Sequence, residues 1–324
     1  MKARDPRLVL QAAPLLRQQL TTQRAMLDVL IALVPATLAG LWFFGIGGLL
    51  VLLACILGCI LTEWVFSAAE VRRERLFDGS GVLTGLLLGL TLPPSLPLWM
   101  AFIGGMVSIG LGKLIWGGLG QNLFNPALVG RAFLLATFPI AMTTWSPAGG
   151  PGQFFEINAS NLAAPFMHVD YDGVSSATPL GLMKFESQGT ALPDLLVGNI
   201  AGCIGETSGL LLLLGGLYLL WRQIIDWRIP AGIMLAVAVL SGLLFLVDGS
   251  HYPGPLFSVF SGGLLIGAFF MATDPVSSPV TPRGAWIFGI GVGLLVVLIR
   301  NFGGFPEGVM YAILLMNAAT PLID

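Results

Sequence analysis

The sequence is poor in charged residues. Only 10% of its 324 residues are Asp, Glu, Lys or Arg, whereas soluble globular proteins carry about 25%. Hydrophobic residues make up 56% of the chain, and its mean hydropathy is +0.88. So few charges cannot cover a water-facing surface, and we therefore expect an all-α integral membrane protein. The formal net charge of −2 provides no basic surface, which excludes nucleic-acid binding.

Cysteine and histidine are also scarce. The chain has three cysteines and two histidines, whereas an iron–sulfur cluster normally needs about four thiolates. The sequence therefore predicts no metal site and no catalytic residue. Cys55 and Cys59 would share one helix face, either as small buried side chains or as half of a cluster site that a partner chain completes.

Apolar runs dominate what remains. A span needs about 20 apolar residues, and we expect about ten transmembrane helices, some of them short or broken. They are predicted at 26–44, 46–67, 81–93, 96–115, 122–139, 197–220, 229–247, 256–272, 284–299 and 306–320. The chain then divides into an N-terminal segment (1–25), a first five-helix repeat (26–139), a loop (140–193) and a second five-helix repeat (194–324).

A weak internal similarity suggests the repeat. The motif GLLLG at 85–89 recurs as GLLIG at 263–267, and the pattern that begins at Pro126 recurs from Pro306 at nearly the same offset. Because five is an odd number, two such repeats would insert with opposite orientations, as in many transporters. Chance similarity among Leu and Gly residues is the alternative.

The distribution of Lys and Arg predicts the orientation. Twelve of the fifteen Lys and Arg residues fall on the side of the N-terminus, and such residues concentrate in cytoplasmic loops. We therefore expect a multi-pass protein of the bacterial inner membrane, with both termini in the cytoplasm and loop 140–193 in the periplasm.

Some charged residues lie within predicted spans. Arg131 follows the helix start FNPALVGR, and Glu206 lies in GNIAGCIGETSGL. A charge inside a membrane is costly and marks a functional site by default. Arg131 and Glu206 would line an ion path, or they would pair to hold the helices together. Asp28 and Glu63 lie nearer to span ends, where their side chains would reach the membrane surface.

The predicted loop contains the polar stretch DGVSSATPL at 172–180. Asp172-Gly173 favours a turn, and Pro179 keeps Thr178 extended. By composition alone, this stretch is an ordinary polar turn.

Five blocks of the sequence resemble a known family. They are GVLTGLLLGLTLPP (81–94), GGLGQNLFNPALVGRAFLL (117–135), DGVSSATPL (172–180), GGLLIGAFFMATDPV (262–276) and RNFGGFPEGVMYAILLMNAATPLID (300–324). On these blocks the chain resembles the D subunits of Rnf ion-translocating electron-transport complexes, which are similar to the B subunits of sodium-pumping NADH:quinone reductases. The absence of a long extension before the first apolar run favours the Rnf-type protein.

The resemblance implies a cofactor site. In that family a flavin transferase recognises the segment D-G-x-S/T-x-A-T, and its last threonine carries FMN through a phosphoester bond. This role would fall to Thr178. The recognised context would be Asp172, Gly173, Ser175, Ser176 and Ala177. The relationship to the quinone reductases also allows a second, non-covalent flavin, riboflavin, although no residue pattern identifies its site.

The implied function is that of a membrane flavoprotein subunit. It would relay electrons through FMN in a complex that couples electron transfer between ferredoxin and NAD to Na⁺ or H⁺ movement, and it would not be an enzyme alone. Its partners would be other membrane subunits, a flavoprotein homologue also modified on threonine, iron–sulfur subunits, the flavin transferase and membrane lipid. The alternatives are a transporter or channel for ions or small solutes, and a scaffold without cofactor or ion path. Both would give a colourless protein, whereas the flavoprotein would be yellow.

Overall fold

The computed structural model describes residues 21–70, 72–149, 154–155, 157–165, 176–249 and 251–324, and no β-strand occurs among them. The all-α fold is therefore confirmed for this part of the chain. The helices are α1 (Thr22–Phe66), α2 (Arg72–Phe77), α3 (Ser80–Leu90), α4 (Leu98–Gly112), α5 (Pro126–Thr137), α6 (Pro139–Thr143), α7 (Pro179–Glu186), α8 (Leu192–Val197), α9 (Gly209–Trp221), α10 (Arg228–Val247), α11 (Pro255–Phe260), α12 (Leu264–Ile266), α13 (Pro282–Phe302) and α14 (Val309–Ile323).

Helix α1 is interrupted by a sharp turn at Gly45. This residue has φ +62° and ψ −150° within an otherwise helical stretch, a conformation that glycine adopts without strain. Met26, near the start of α1, lies beside Gly79, and Glu63, near its end, lies beside Gly81. Since both ends reach the start of α3, the two halves of α1 run antiparallel, in agreement with the predicted break between segments 26–44 and 46–67.

Helix length and composition fit a membrane protein. Within the described residues, four stretches are long and apolar enough to cross a membrane: Thr22–Phe66, Leu98–Trp116, Arg228–Val247 and Pro282–Phe302. Helices α3, α5, α9 and α14 are apolar but shorter, with 10 to 17 residues. Large apolar side chains such as Leu38, Trp42 and Leu246 are exposed on these helices, as expected of surfaces that face lipid.

Two of the predicted spans are less regular than expected. The span predicted at 197–220 becomes helical only at Gly209, because the glycine-containing segment before it forms a short 3₁₀ turn (Ile204–Glu206) that packs against Leu90. The span predicted at 256–272 is divided into α11, α12 and a π-helical turn at Gly267–Met271. Such irregular backbone is tolerated at membrane depth when protein surrounds it.

The backbone groups freed at these interruptions are bonded. Helix α3 ends before Pro93-Pro94, and the Cys203 thiol donates to the carbonyl of Thr91 at 3.0 Å. The Ile204 N–H donates to the carbonyl of Leu92 at 3.1 Å. Asn125 donates to the carbonyl of Met271 at 3.1 Å. Segments from distant parts of the chain therefore satisfy one another's helix ends inside the bundle.

One apolar core joins both halves of the chain. It contains Leu33, Leu88 and Leu134 from the first half and Phe288 and Val292 from the second. Cys55 and Cys59 are fully buried where α1 packs on α4, and the Cys59 thiol donates to the Gly105 carbonyl at 3.4 Å. Both cysteines are free and enclosed by this chain, so their role as small buried side chains is the one that the packing supports.

Candidate functional site

Thr178 occupies the N-cap of α7. Its backbone is extended, with φ −72° and ψ 156°, and its Oγ1 accepts a hydrogen bond from the Gly181 N–H at 3.1 Å. Extended geometry is what a residue before proline favours, so this part of the sequence prediction is confirmed. The side chain is only 6% exposed, which makes Thr178 less accessible than a loop threonine would be.

The sequence motif around Thr178 is only partly described. Asp172, Gly173 and Ser175 lie outside the described residues. Ser176 is half-buried and Ala177 is exposed, and the Ser176 N–H donates to the carbonyl of Trp145 at 2.7 Å. This bond fixes the stretch of chain that enters α7 against the segment that follows α6.

A cavity of about 490 Å³ lies beside Thr178. This volume falls within the range of about 300 to 1,000 Å³ that is typical of cofactor and ligand pockets. Its lining combines aromatic, small polar and charged side chains from three parts of the chain: Arg131, Leu135, Met142, Thr143, Trp145, Ser176, Ala177, Thr178, Gly181, Phe185, Glu186, Gly304, Phe305, Pro306 and Glu307. Trp145, Phe185 and Phe305 provide the apolar, aromatic surface that suits a planar ring.

The position of Thr178 at a helix start suits a phosphate ester. The first N–H groups of a helix and its dipole favour an anion at this end. A phosphate on Thr178 Oγ1 would lie at the N-terminus of α7, with the cavity beside it to receive the rest of an FMN molecule. These residues therefore fit the cofactor that the sequence motif implies.

Lys184 anchors α7 to the end of α13. Its ammonium donates to the carbonyls of Arg300 (2.8 Å), Gly303 (2.6 Å) and Phe305 (3.2 Å), which uses all three of its donors. Burial lowers the pKa of this lysine. Helix α7 is thus attached to the second half of the chain, through backbone carbonyls in the last turn of α13 and directly after it.

A cluster of ionisable side chains lies next to the Thr178 cavity. Arg131 forms an ion pair with Glu307. The Cys203 sulfur and the carboxylates of Glu206 and Glu307 have atoms that lie within 4.8 Å of one another. Arg131, Glu206, Glu307 and Arg300 also line a second, smaller cavity of about 40 Å³. Arg131 and Glu206, which the sequence analysis singled out separately, therefore meet in one buried cluster.

Glu206 has unused hydrogen-bonding capacity in this cluster. It is 7% exposed, and its Oε1 has no hydrogen-bond partner within the described part of the chain. Arg300 donates through its two terminal nitrogens to the carbonyls of Ser258 (2.7 Å) and Ser261 (2.9 Å), while its Nε has no partner among the described residues. The cluster thus contains one carboxylate oxygen that is free to bind a proton, a cation or water.

Comparison with known proteins decides the family. The family model described as "NQR2, RnfD, RnfE family" matches residues 9–324. The chain belongs to this family. It is 42% identical to the D subunit of the proton-translocating ferredoxin:NAD(+) oxidoreductase complex of Clostridium ljungdahlii, over 97% of this chain and 93% of that protein. It is 44% identical to the D subunit of the ion-translocating oxidoreductase complex of Stutzerimonas stutzeri (94% and 90%) and 40% identical to the D subunit of the Na(+)-translocating ferredoxin:NAD(+) oxidoreductase complex of Acetobacterium woodii (98% and 92%).

Sequence reasoning missed several residues of the cluster in this NQR2, RnfD, RnfE family member. Glu307 stands 176 positions from its partner Arg131, and no local pattern connects the two. Arg300, which the sequence analysis did not single out, is 7% exposed and bonded inside the protein. Glu307 could have been recognised from its position directly before an apolar helix, where an isolated carboxylate needs a partner.

The charges near the N-terminal side of this family member are internally paired. The interpretation of Glu63 as a side chain that reaches the membrane surface is wrong, because Glu63 is fully buried and forms an ion pair with the buried Lys113. Lys113 also donates to Ser80 Oγ at 2.6 Å. Asp28 is likewise 5% exposed, and it accepts hydrogen bonds from Arg222 (2.9 Å) and Tyr218 (3.1 Å). These pairs connect α1 to α4 and α9.

Proposed function

We propose that this chain is a membrane flavoprotein subunit of an Rnf-type complex, which relays electrons through FMN bound to Thr178 by a phosphoester. The complex would couple electron transfer between ferredoxin and NAD to the movement of Na⁺ or H⁺. The observation that carries the proposal is the location of Thr178, at a helix N-terminus that opens on a cavity of about 490 Å³. The names of relatives at 40–42% identity support the complex and its reaction.

The chain's own residues would hold and orient the cofactor. Thr178 would provide the covalent link, the first turn of α7 would stabilise the phosphate, and Trp145 with Phe185 would exclude water from the ring. FMN itself supplies the electron transfer. A covalent link keeps a cofactor in place on a surface that faces the periplasm, from which a free flavin would diffuse away.

The proposal includes the full architecture and its orientation. We infer ten spans in two inverted five-helix repeats, both termini in the cytoplasm and the α7 region in the periplasm of the inner membrane. Equivalent packing supports the repeats, because α1 contacts α4 as α10 contacts α13, and α4 contacts α5 as α13 contacts α14. Other Rnf-type subunits, including a flavoprotein homologue and iron–sulfur subunits, and the flavin transferase would be the partners.

Arg131 and Glu206 are proposed as residues of the ion path. Glu206 Oε1 lies beside a small internal cavity and has no partner among the residues that the structure describes, which supports this role over a purely structural pair. The relatives do not decide the ion, since the proteins at 42% and 40% identity are named for the translocation of protons and of Na⁺ respectively.

A site for riboflavin remains a prediction. A cavity of about 90 Å³ is lined by Lys113, Asn122, Asn125 and Asp274 together with apolar side chains. This volume is well below the roughly 300 Å³ of typical ligand pockets, so the residues as placed do not fit a second flavin there.

Substitution of Thr178 tests the proposed function. Thr178→Asn keeps an N-capping side chain but has no hydroxyl to esterify, so it should abolish covalent flavin while the protein still inserts. Thr178→Ala should do the same with an additional loss of about 1 kcal/mol of helix stability, and Thr178→Ser should retain some flavin. The measurement is in-gel flavin fluorescence of the denatured polypeptide after co-expression with the transferase.

Thr143→Ala is the matched control, because Thr143 lines the same cavity and is exposed. It should keep its fluorescence. Fluorescence that persists on the Thr178→Asn polypeptide would show that the flavin is attached to another residue. A colourless wild-type protein would favour the transporter or scaffold without flavin.

A further inference from the structure

One part of the lining of the Thr178 cavity is charged. Arg131 comes from α5 and Glu307 from the segment before α14, and the two form an ion pair. The Arg131 side chain is 10% exposed and that of Glu307 is 22% exposed. The guanidinium is therefore largely shielded from water but still borders the space beside Thr178.

The same ion pair also borders the smaller internal cavity. Arg131 and Glu307 line both cavities, while Glu206 and Arg300 line only the smaller one. The pair, together with Leu135, thus forms the part of the lining that the two cavities share. Lys184, a cation within α7, donates to backbone carbonyls and is not among the residues that line the Thr178 cavity.

A shielded cation beside a flavin changes the reduction potential of that flavin. An electron added to the ring without a proton adds one negative charge, and a nearby positive charge stabilises that product. The effect is strong where water is excluded, because the Coulomb energy of two charges increases as the effective dielectric constant falls. A carboxylate at the same place has the opposite effect.

We propose that Arg131 raises the reduction potential of the flavin on Thr178, and that Glu307 positions the guanidinium and partly offsets its charge. This inference rests on the proposed function. It gives the ion pair a role in electron transfer in addition to a role in ion movement. This role does not depend on which low-potential donor reduces the flavin.

The two substitutions should shift the potential in opposite directions. Arg131→Gln removes the positive charge and should lower the equilibrium constant for one-electron reduction at least tenfold, which corresponds to about 59 mV. Glu307→Gln removes the negative charge while it keeps a hydrogen-bonding side chain, so it should raise the potential. Arg131→Lys keeps the charge and should remain closest to the wild type.

The measurement is a spectroelectrochemical titration of the purified complex with dithionite and mediators, after in-gel fluorescence has established that the flavin is covalently bound. Arg222→Gln is the control, since Arg222 pairs with Asp28 and lines neither cavity, so it should leave the potential unchanged. If the Arg131→Gln variant does not assemble, the flavin potentials of Glu307→Gln and Arg131→Lys test the inference.

Shifts of opposite sign support the inference. Potentials within error of the wild type, or shifts in the same direction for Arg131→Gln and Glu307→Gln, would overturn it while the flavin on Thr178 stands. A wild-type protein without in-gel fluorescence would instead contradict the proposed function, so the two failures are distinguishable.

Discussion

Thr178 caps α7, and we also propose it as the site of FMN attachment; the sequence alone does not connect these two roles. The motif DGVSSAT suggests a modified threonine only through the resemblance, whereas the extended backbone before Pro179 follows from steric rules. The capping bond to Gly181 adds a physical reason for the choice of this threonine, because it places the hydroxyl oxygen at the positive end of a helix. The burial of Thr178 was not predictable, since it depends on segments distant in sequence.

Glu206 illustrates how a polar residue in a span becomes informative once its neighbours are known. The sequence identified it by its cost inside a membrane, on the order of 3 kcal/mol. It could not identify the groups that face it, which are Glu307, Arg131, Arg300 and Cys203. These come from three separate parts of the chain.

A charge-removing substitution tests the role of Glu206. Glu206→Gln keeps size and hydrogen bonding, so we expect covalent flavin to remain, electron transfer to persist in part, and the ratio of ions moved to electrons transferred to fall severalfold. Ferredoxin-driven ion uptake and electron transfer should be measured in the same vesicles. Asp226→Asn is the control, because Asp226 forms a half-exposed pair with Arg228 away from the cluster.

An unchanged ratio in the Glu206→Gln vesicles would exclude a coupling role. Loss of the assembled protein from the complex would show that Glu206 acts in packing.

At the scale of elements, continuous apolar helices were predicted well and interrupted ones poorly. Helices α10 and α13 begin and end within three residues of the predicted 229–247 and 284–299, because their apolar runs are long and bounded by Pro, Arg or Gly. The segment before α9 was predicted as part of a continuous apolar span, but it forms a 3₁₀ turn, because hydropathy counts small residues as apolar although Gly202 and Gly205 weaken a helix. The sequence located the turn at Gly45, because the predicted spans 26–44 and 46–67 leave a gap there. It did not predict the φ angle of this residue, which depends on the packing of the two halves of α1.

The attachment of α7 to α13 gives a prediction at this scale. Lys184→Met keeps the apolar stem but removes the three bonds to carbonyls, so we expect α7 to be less firmly held and the free energy of unfolding to fall by about 1–2 kcal/mol. Covalent flavin should persist, because Thr178 is unchanged. The fluorescence anisotropy of the bound flavin should decrease relative to the wild type and to Arg73→Met, which removes an exposed cation. Equal anisotropy in all three proteins would show that Lys184 does not order the site.

At the scale of the whole molecule, we predict from the distribution of cations that α7 lies in the periplasm. Ser187 is exposed at the C-terminal end of α7, and the three native cysteines are buried, so a cysteine introduced there can be labelled selectively. Ser187→Cys should react with a membrane-impermeant thiol reagent added to intact spheroplasts, whereas Arg73→Cys should react only in inverted vesicles. The reverse pattern would invert the proposed topology.

The central claim is that the flavin is attached to Thr178, and peptide mapping tests it most directly. The wild-type protein, purified after co-expression with the transferase, would be digested and the flavin-containing peptide fragmented in a mass spectrometer. We expect FMN joined through its phosphate to Thr178. Unmodified Thr178 in a yellow, covalently flavinylated protein, or FMN on Ser175 or Ser176 in the same stretch, would contradict it.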